Sequence, residues 1–385
     1  MATQVEAQDG KTGLGEPRDG TEYFETLIIG GGQAGLAAGC HLTRRGRPCL
    51  ILDANERVGD SWRKRWPSLR LYSPARYDGL PGMPFPAPRH SFPTGNDMAD
   101  YLEEYARRFE LPVRNGVTVD GLSKNGDRYV ATACERRFEA ENVVVATGVM
   151  QSPVIPAFAA ELDPGIRQLH SSDYRSPTQL QEGAVLVVGA SHSGADIAFE
   201  VAGAGHKTML SGRDTGQIPF RIESRRARVI WPVLRFVATR VLTGSTPLGR
   251  KVGPELRSHG GPLLRVKSAD LQAAGVERVV AKVVSVENGL PMLEDGRVVE
   301  VSNVIWCTGF GNDFDWIRLP VVGEDGYPAQ RRGVVPSAPG LYFVGLVFLH
   351  SFSSMLILGA GRDAGYIAKH LVSKRVNGRR AAVPR

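Results

Sequence analysis

Two glycine-rich turns, "GGGQAG" at 30–35 and "GASHSG" at 189–194, predict an α/β fold with two nucleotide-binding units. Each follows a short apolar run and opens an alanine-rich stretch, and each stretch leads into a second apolar run. That alternation of strand, helix and strand predicts parallel, doubly wound sheets in two Rossmann-like domains.

In the first unit, "TLIIG" (26–30) is a strand bounded by glycine, "GGQAGLAAGCHLTRRG" is a helix stopping at Gly46, and "RPCLILD" is the next strand. Gly30, Gly32 and Gly35 take the places for the tight turn, close pyrophosphate approach and helix packing. Asp53 ends the second strand, 23 residues after Gly30, where an acid hydrogen-bonds a ribose hydroxyl. In the second unit "AVLVVGA" (184–190), "SGADIAFEVAGAG" and "HKTMLSGR" repeat the pattern, with Gly189, Ser191, Ser193 and Gly194 in the turn. The strand-end residue is now Arg213, 24 residues after Gly189. An arginine there pairs with a 2′-phosphate that an acid would repel. The first site therefore suits FAD and the second NADPH, a combination for hydride transfer from nicotinamide to flavin.

The 385 residues are 42% hydrophobic, 23% charged and carry a net charge of +7. The basicity is regional: residues 205–267 hold thirteen Lys/Arg against Asp214, Glu223 and Glu255, and no nucleic-acid module accompanies them. Cys40, Cys49, Cys134 and Cys307 form no CxxC pair, and the eight histidines show no metal-ligand spacing. A disulfide reductase of this build places a cysteine pair shortly after the first unit. Here "ERVGDSWRKRWPSLRLYSP" (56–74) has none, so the electrons are expected to leave by another route. Without a signal segment or an apolar run of membrane-spanning length, the expected location is cytoplasmic.

"GDSW" (59–62), "LRLYSPARYDGLPGMPFP" (69–86), "FPTGNDMADYLEEYARRFELPV" (92–113), "VVVATG" (143–148), "HSSDY" (170–174), "VIWCTGF" (304–310) and "PGLYFVGL" (339–346) together resemble class B flavin-dependent monooxygenases. The likeness is to bacterial flavin-containing monooxygenase-like proteins, with plant indole-3-pyruvate monooxygenases in the wider circle, and it covers roughly residues 24–372. It implies that NADPH reduces FAD, that the reduced flavin captures O₂ as a C4a-(hydro)peroxyflavin, and that one oxygen atom passes to a small-molecule N, S or carbonyl centre. Such chemistry needs a dry enclosure more than an acid–base triad. The alternatives are an NADPH oxidase or quinone-type reductase, and a nucleotide-bound regulatory flavoprotein; coupling of NADPH use to product, and turnover itself, separate them.

No side chain is expected to be catalytic in its own right; the candidates near the flavin are Trp62, Ser73 and His170. The family fingerprint around His170 is half present: His170 and Tyr174 match, Ile166 stands in its glycine place, and a linker role is preferred for the histidine. The asparagine that animal-type members carry near Tyr72 and Ser73 is replaced. The resemblance places Trp62, Gly345 and Asp363 with FAD, core packing being the alternative for Trp62 and a helix cap the preferred one for Asp363. It places Thr308 and Gly309 at the NADPH side as an interdomain turn. The expected organisation is a disordered polar tail (1–23), a discontinuous FAD domain (24–180 and 300–375), an inserted NADPH domain (181–299) and a mobile basic tail (376–385). In 223–242, Ile230, Leu234, Val237 and Val241 recur at helical spacing among five arginines. A lid or a subunit contact within a homodimer is preferred there over contact with a membrane surface.

Overall fold

The computed structural model describes residues 20–258 and 260–381. Both terminal tails expected from the sequence lie partly outside them, at 1–19 and 382–385. Inside them the first strand already begins at Thr21, and the final helix runs Ile357–Ala381, through part of the stretch expected to be mobile.

Two sheets organise the chain. The first has the order Val113–Arg114, Cys49–Leu52, Thr21–Ile29, Arg136–Val145, Arg128–Ala133, Gly121–Asn125, and Leu341–Phe343 also pairs with Arg136–Val145. Its centre is parallel, as the sequence predicts, but Gly121–Val145 forms an antiparallel meander that the alternation of elements does not announce. The second sheet is parallel throughout, in the order Glu277–Val279, Thr208–Ser211, Val185–Val188, Asn303–Trp306, Arg167–His170. Val185–Val188 and Asn303–Trp306 are buried along their whole length, which suits strands covered on both faces.

The sheets redraw the expected boundaries. Arg167–His170 and Asn303–Trp306, assigned from sequence to the FAD domain, hydrogen-bond into the second sheet. The two-residue strands Ser152–Pro153 and Phe310–Gly311 pair with one another where the chain passes between the sheets.

Helix Gln33–Thr43 lies against the last helix: His41 Nε2 is 2.9 Å from the Gly361 carbonyl, and a Cβ on Gly365 would meet the His41 ring at 3.0 Å. Helix Gly95–Arg108 starts at a capping box, in which Thr94 Oγ1 accepts from the Asp97 amide and Asp97 accepts from the Thr94 amide. It buries Met98, Tyr101, Leu102 and Tyr105 in the same core as Ile28, Leu36 and Tyr342. A separate core holds the second sheet's Val185, Val187 and Ile305 with Ile197 and Val201 of helix His192–Gly203.

Candidate functional site

The first glycine-rich turn divides its work among three positions. Gly30 has φ +109°, and a Cβ there would lie 2.5 Å from the Ala146 carbonyl oxygen; one on Gly35 would lie 1.9 Å from that of Gly30. Both are places where only glycine lets two backbone segments touch. At Gly32 a Cβ would meet no protein atom within 4 Å. Its cradle is open to a ligand, above the start of a helix whose amides favour an anion.

Asp53 is buried at the end of its strand. Its Oδ2 accepts from the Gly31 amide at 2.5 Å and its Oδ1 from the Asn55 amide and side chain, both at 2.8 Å. The carboxylate thus fixes the turn from below. Asp363 is also buried; one oxygen accepts from Arg362 Nε at 2.7 Å and the other has no partner. It lies six residues into the helix that starts at Ile357, so the preferred reading of a helix cap is overturned. An orphaned buried acceptor and an open glycine cradle both fit a hydroxyl-rich dinucleotide. Gly345 has φ +79° and its tight contact is with Ala34: a Cβ would come within 2.8 Å of the Ala34 Cβ.

The second turn has the same skeleton. Gly189 has φ +106°, a Cβ there would lie 2.3 Å from the Cys307 carbonyl oxygen, and one on Gly194 would lie 1.7 Å from the carbonyl oxygen of Gly189. The middle place belongs to Ser191, whose Oγ donates to the Gly261 carbonyl at 2.8 Å; the segment 260–262 therefore borders the turn. Ser193 lies in the first turn of the following helix, and Arg213 is exposed just past strand Thr208–Ser211. Beside it, Arg278 donates to the carbonyls of Gly212 and Arg213, adding a second guanidinium to this strand end. The buried Nε2 of His192 has no partner, again an orphan suited to a bound group. Burial holds this imidazole below its ordinary range, opposed by a hydrogen bond with the backbone at Pro262.

Sequence reasoning missed what joins the units. Tyr72 donates to Asp196 Oδ2 at 2.8 Å, its ring lies 5.1 Å from that of His192, and Arg265 sits over it while donating to the Leu71 carbonyl. Burial pushes the Asp196 carboxyl up, against the pull of Tyr72 and Arg265. Trp62 is half-buried and packs against the cores of both sheets, with Nε1 3.4 Å from Gln33 Oε1. Ser73 points the other way and donates to Asp78 Oδ1 at 2.5 Å. Asp78 is wholly buried, its Oδ2 has no partner, and burial raises its carboxyl to about 7 although the Ser73 hydrogen bond pulls it down.

His170 is committed on both ring nitrogens, Nδ1 to Ser172 at 2.9 Å and Nε2 to the Gly309 carbonyl at 3.1 Å, with its ring edge-on to Phe310. Burial lowers its pKa. Thr308 donates to the Val154 carbonyl, and Gly309 has φ +85°. These residues form the joint between the paired strands Ser152–Pro153 and Phe310–Gly311.

Residues 27–229 match the model of the pyridine nucleotide-disulphide oxidoreductases, more than half of the chain. The chain belongs to that family. The CzcO-like oxidoreductase of Geobacillus kaustophilus is 35% identical, covering 91% of this chain and 98% of its own. The probable indole-3-pyruvate monooxygenase YUCCA7 of Arabidopsis thaliana is 28% identical over 90% of this chain and 87% of its own. Among solved structures, the flavin-containing monooxygenase of Stenotrophomonas maltophilia superposes with a TM-score of 0.74 at 25% identity, covering 92% of this chain and 99% of the other. This family member is an oxidoreductase, similar over nine-tenths of its length to flavin monooxygenases. Among the described residues of this oxidoreductase, no helix is long and apolar enough to cross a membrane.

Proposed function

We propose that this oxidoreductase uses NADPH and O₂ to place one oxygen atom on a nitrogen, sulfur or carbonyl centre of a small molecule, the second atom leaving as water. Per turnover, NADPH gives two electrons and one proton enters from solvent. Bound FAD supplies the oxygen-activating ring and NADPH the hydride.

The chain's own residues bind, orient and exclude water. Gly30, Gly32, Gly35, Asp53 and Asp363 hold the flavin dinucleotide, with Gly345 fixing the adjoining backbone. Gly189, Ser191, Ser193, Gly194 and Arg213 hold the nicotinamide dinucleotide. Trp62 closes the space between the two cores, and the joint of His170, Thr308 and Gly309 fixes the angle between the units. Asp78, buried and hydrogen-bonded by Ser73, has its carboxyl raised to about 7 and carries a proton below neutrality.

The observation that carries this reading is the pair of glycine-rich turns whose second strands end in opposite charge, Asp53 and Arg213. Cys40, Cys49, Cys134 and Cys307 form no CxxC pair, which favours oxygen over a protein disulfide as the electron acceptor. The test is NADPH oxidation by the FAD-loaded protein with thioanisole, a tertiary amine and cyclohexanone as probes. Oxygenated product equal to NADPH consumed supports the proposal. NADPH loss matched by H₂O₂ with every probe overturns it in favour of an oxidase, and absence of NADPH consumption overturns it in favour of a regulatory flavoprotein.

A further inference from the structure

Helix Ala227–Phe236 and its π-helical extension Val237–Val241 carry an apolar stripe that none of the four cores covers. Ile230, Leu234, Val237 and Val241, the stripe expected from the sequence, are half-buried. The adjoining face, Val229, Val233 and Phe236 at helical spacing, is turned outward with exposures of 78%, 59% and 59%.

The segment is held in place. Trp231 donates to the Ile222 carbonyl and sets its ring 6.2 Å from Tyr77 and 6.3 Å from Phe92. At the other end Phe352 donates to the Leu242 carbonyl and Thr243 pairs with Ser351. The outward stripe is therefore presented on a docked helix.

Charge surrounds the stripe. Arg225, Arg226, Arg228, Arg235, Arg240, Arg250 and Lys251 are all exposed, and between residues 221 and 251 the one acid is Glu223, engaged by Arg265. Arg76 and Arg89 join them from the first unit, close enough to act with Arg228 on His90. A lid over the cofactor space would turn this face inward. A two-fold contact with a second copy would set arginine against arginine.

We propose that this face docks on the surface of an anionic phospholipid bilayer, with Val229, Val233 and Phe236 entering the headgroup–acyl boundary and the arginines engaging lipid phosphates. The docking is peripheral and screened by salt. The test is co-sedimentation of the FAD-loaded full chain with vesicles of phosphatidylcholine alone or mixed with phosphatidylglycerol. Binding is expected on the anionic vesicles only, reversed by high salt. It falls about tenfold or more in Phe236→Glu and in the combined Arg225→Gln, Arg226→Gln, Arg228→Gln variant. These positions are exposed, and unchanged FAD content confirms that each variant folds. Absence of vesicle binding, equal binding by both variants, or a wild-type dimer that Phe236→Glu dissociates overturns the proposal.

Discussion

Alanine substituted separately at Gly32 and Gly35 divides packing from ligand approach within one turn. At Gly35 the new methyl would sit 1.9 Å from the Gly30 carbonyl oxygen, a backbone atom that cannot step aside without moving the strand end. Overpacking of this kind costs about 1–3 kcal/mol, lowering the melting temperature by roughly 2–10 °C for a unit of this size, with or without cofactor. At Gly32 the backbone has φ −77°, which alanine adopts freely, and no protein atom lies within 4 Å of the new methyl. The apo melting temperature should then move by no more than a change of helix cap allows, under about 1 kcal/mol. The methyl occupies the path of the pyrophosphate and costs a charge-assisted hydrogen bond, about 1.5–3 kcal/mol, or roughly 10–100-fold in FAD affinity. The assay pairs thermal unfolding of the apo-protein with FAD titration by flavin fluorescence. A Gly32→Ala protein that binds FAD like the wild type, or that is as unstable without cofactor as Gly35→Ala, would refute the assignment of the open cradle to the ligand.

Two further outcomes rest on charge. Asp78 has a folded-state pKa of about 7, above its ordinary value of 3.8, so the native state binds the extra proton and stability declines as pH rises between those values. Asp78→Asn should remove that decline, gaining at most about 4 kcal/mol on the wild type at pH 8 relative to pH 4, as chemical denaturation at both pH values will show; an unchanged difference would place the titration elsewhere. Arg213→Ala should raise KM for NADPH roughly 10–100-fold and leave KM for NADH within about twofold, since a charged hydrogen bond to a 2′-phosphate is worth about 1.5–3 kcal/mol; parallel changes for both cofactors would mean that Arg213 does not read the phosphate.

What the sequence discloses here is local. The turn at Gly30–Gly35 and its repeat at Gly189–Gly194 are legible because each packs within its own strand–helix–strand unit. The Tyr72–Asp196 hydrogen bond spans 124 residues and leaves no periodic trace. Nor does the burial of Asp78, whose neighbours in the chain, Tyr77 and Gly79, suggest an ordinary surface turn. The boundary at 180 fails for a related reason: Arg167–His170 has only one buried residue, and its sheet is chosen by hydrogen bonding to Asn303–Trp306. Asp363 illustrates a third limit, since a capping role depends on where the helix begins, and that start is fixed by the Ser351–Leu356 segment rather than by the acid's own surroundings.

The pairing of Leu341–Phe343 with Arg136–Val145 has a consequence for how this chain is made. The first sheet opens with the earliest described residues, yet it lacks a strand, and its adjoining helix, until after the second sheet has all of its strands. All five strands of the second sheet are available by Trp306. Synthesis therefore delivers the nested unit complete while the enclosing one still waits for its closing strand, and long-range closure of that kind is slow. Truncations near the C-terminus should consequently injure the unit encoded first.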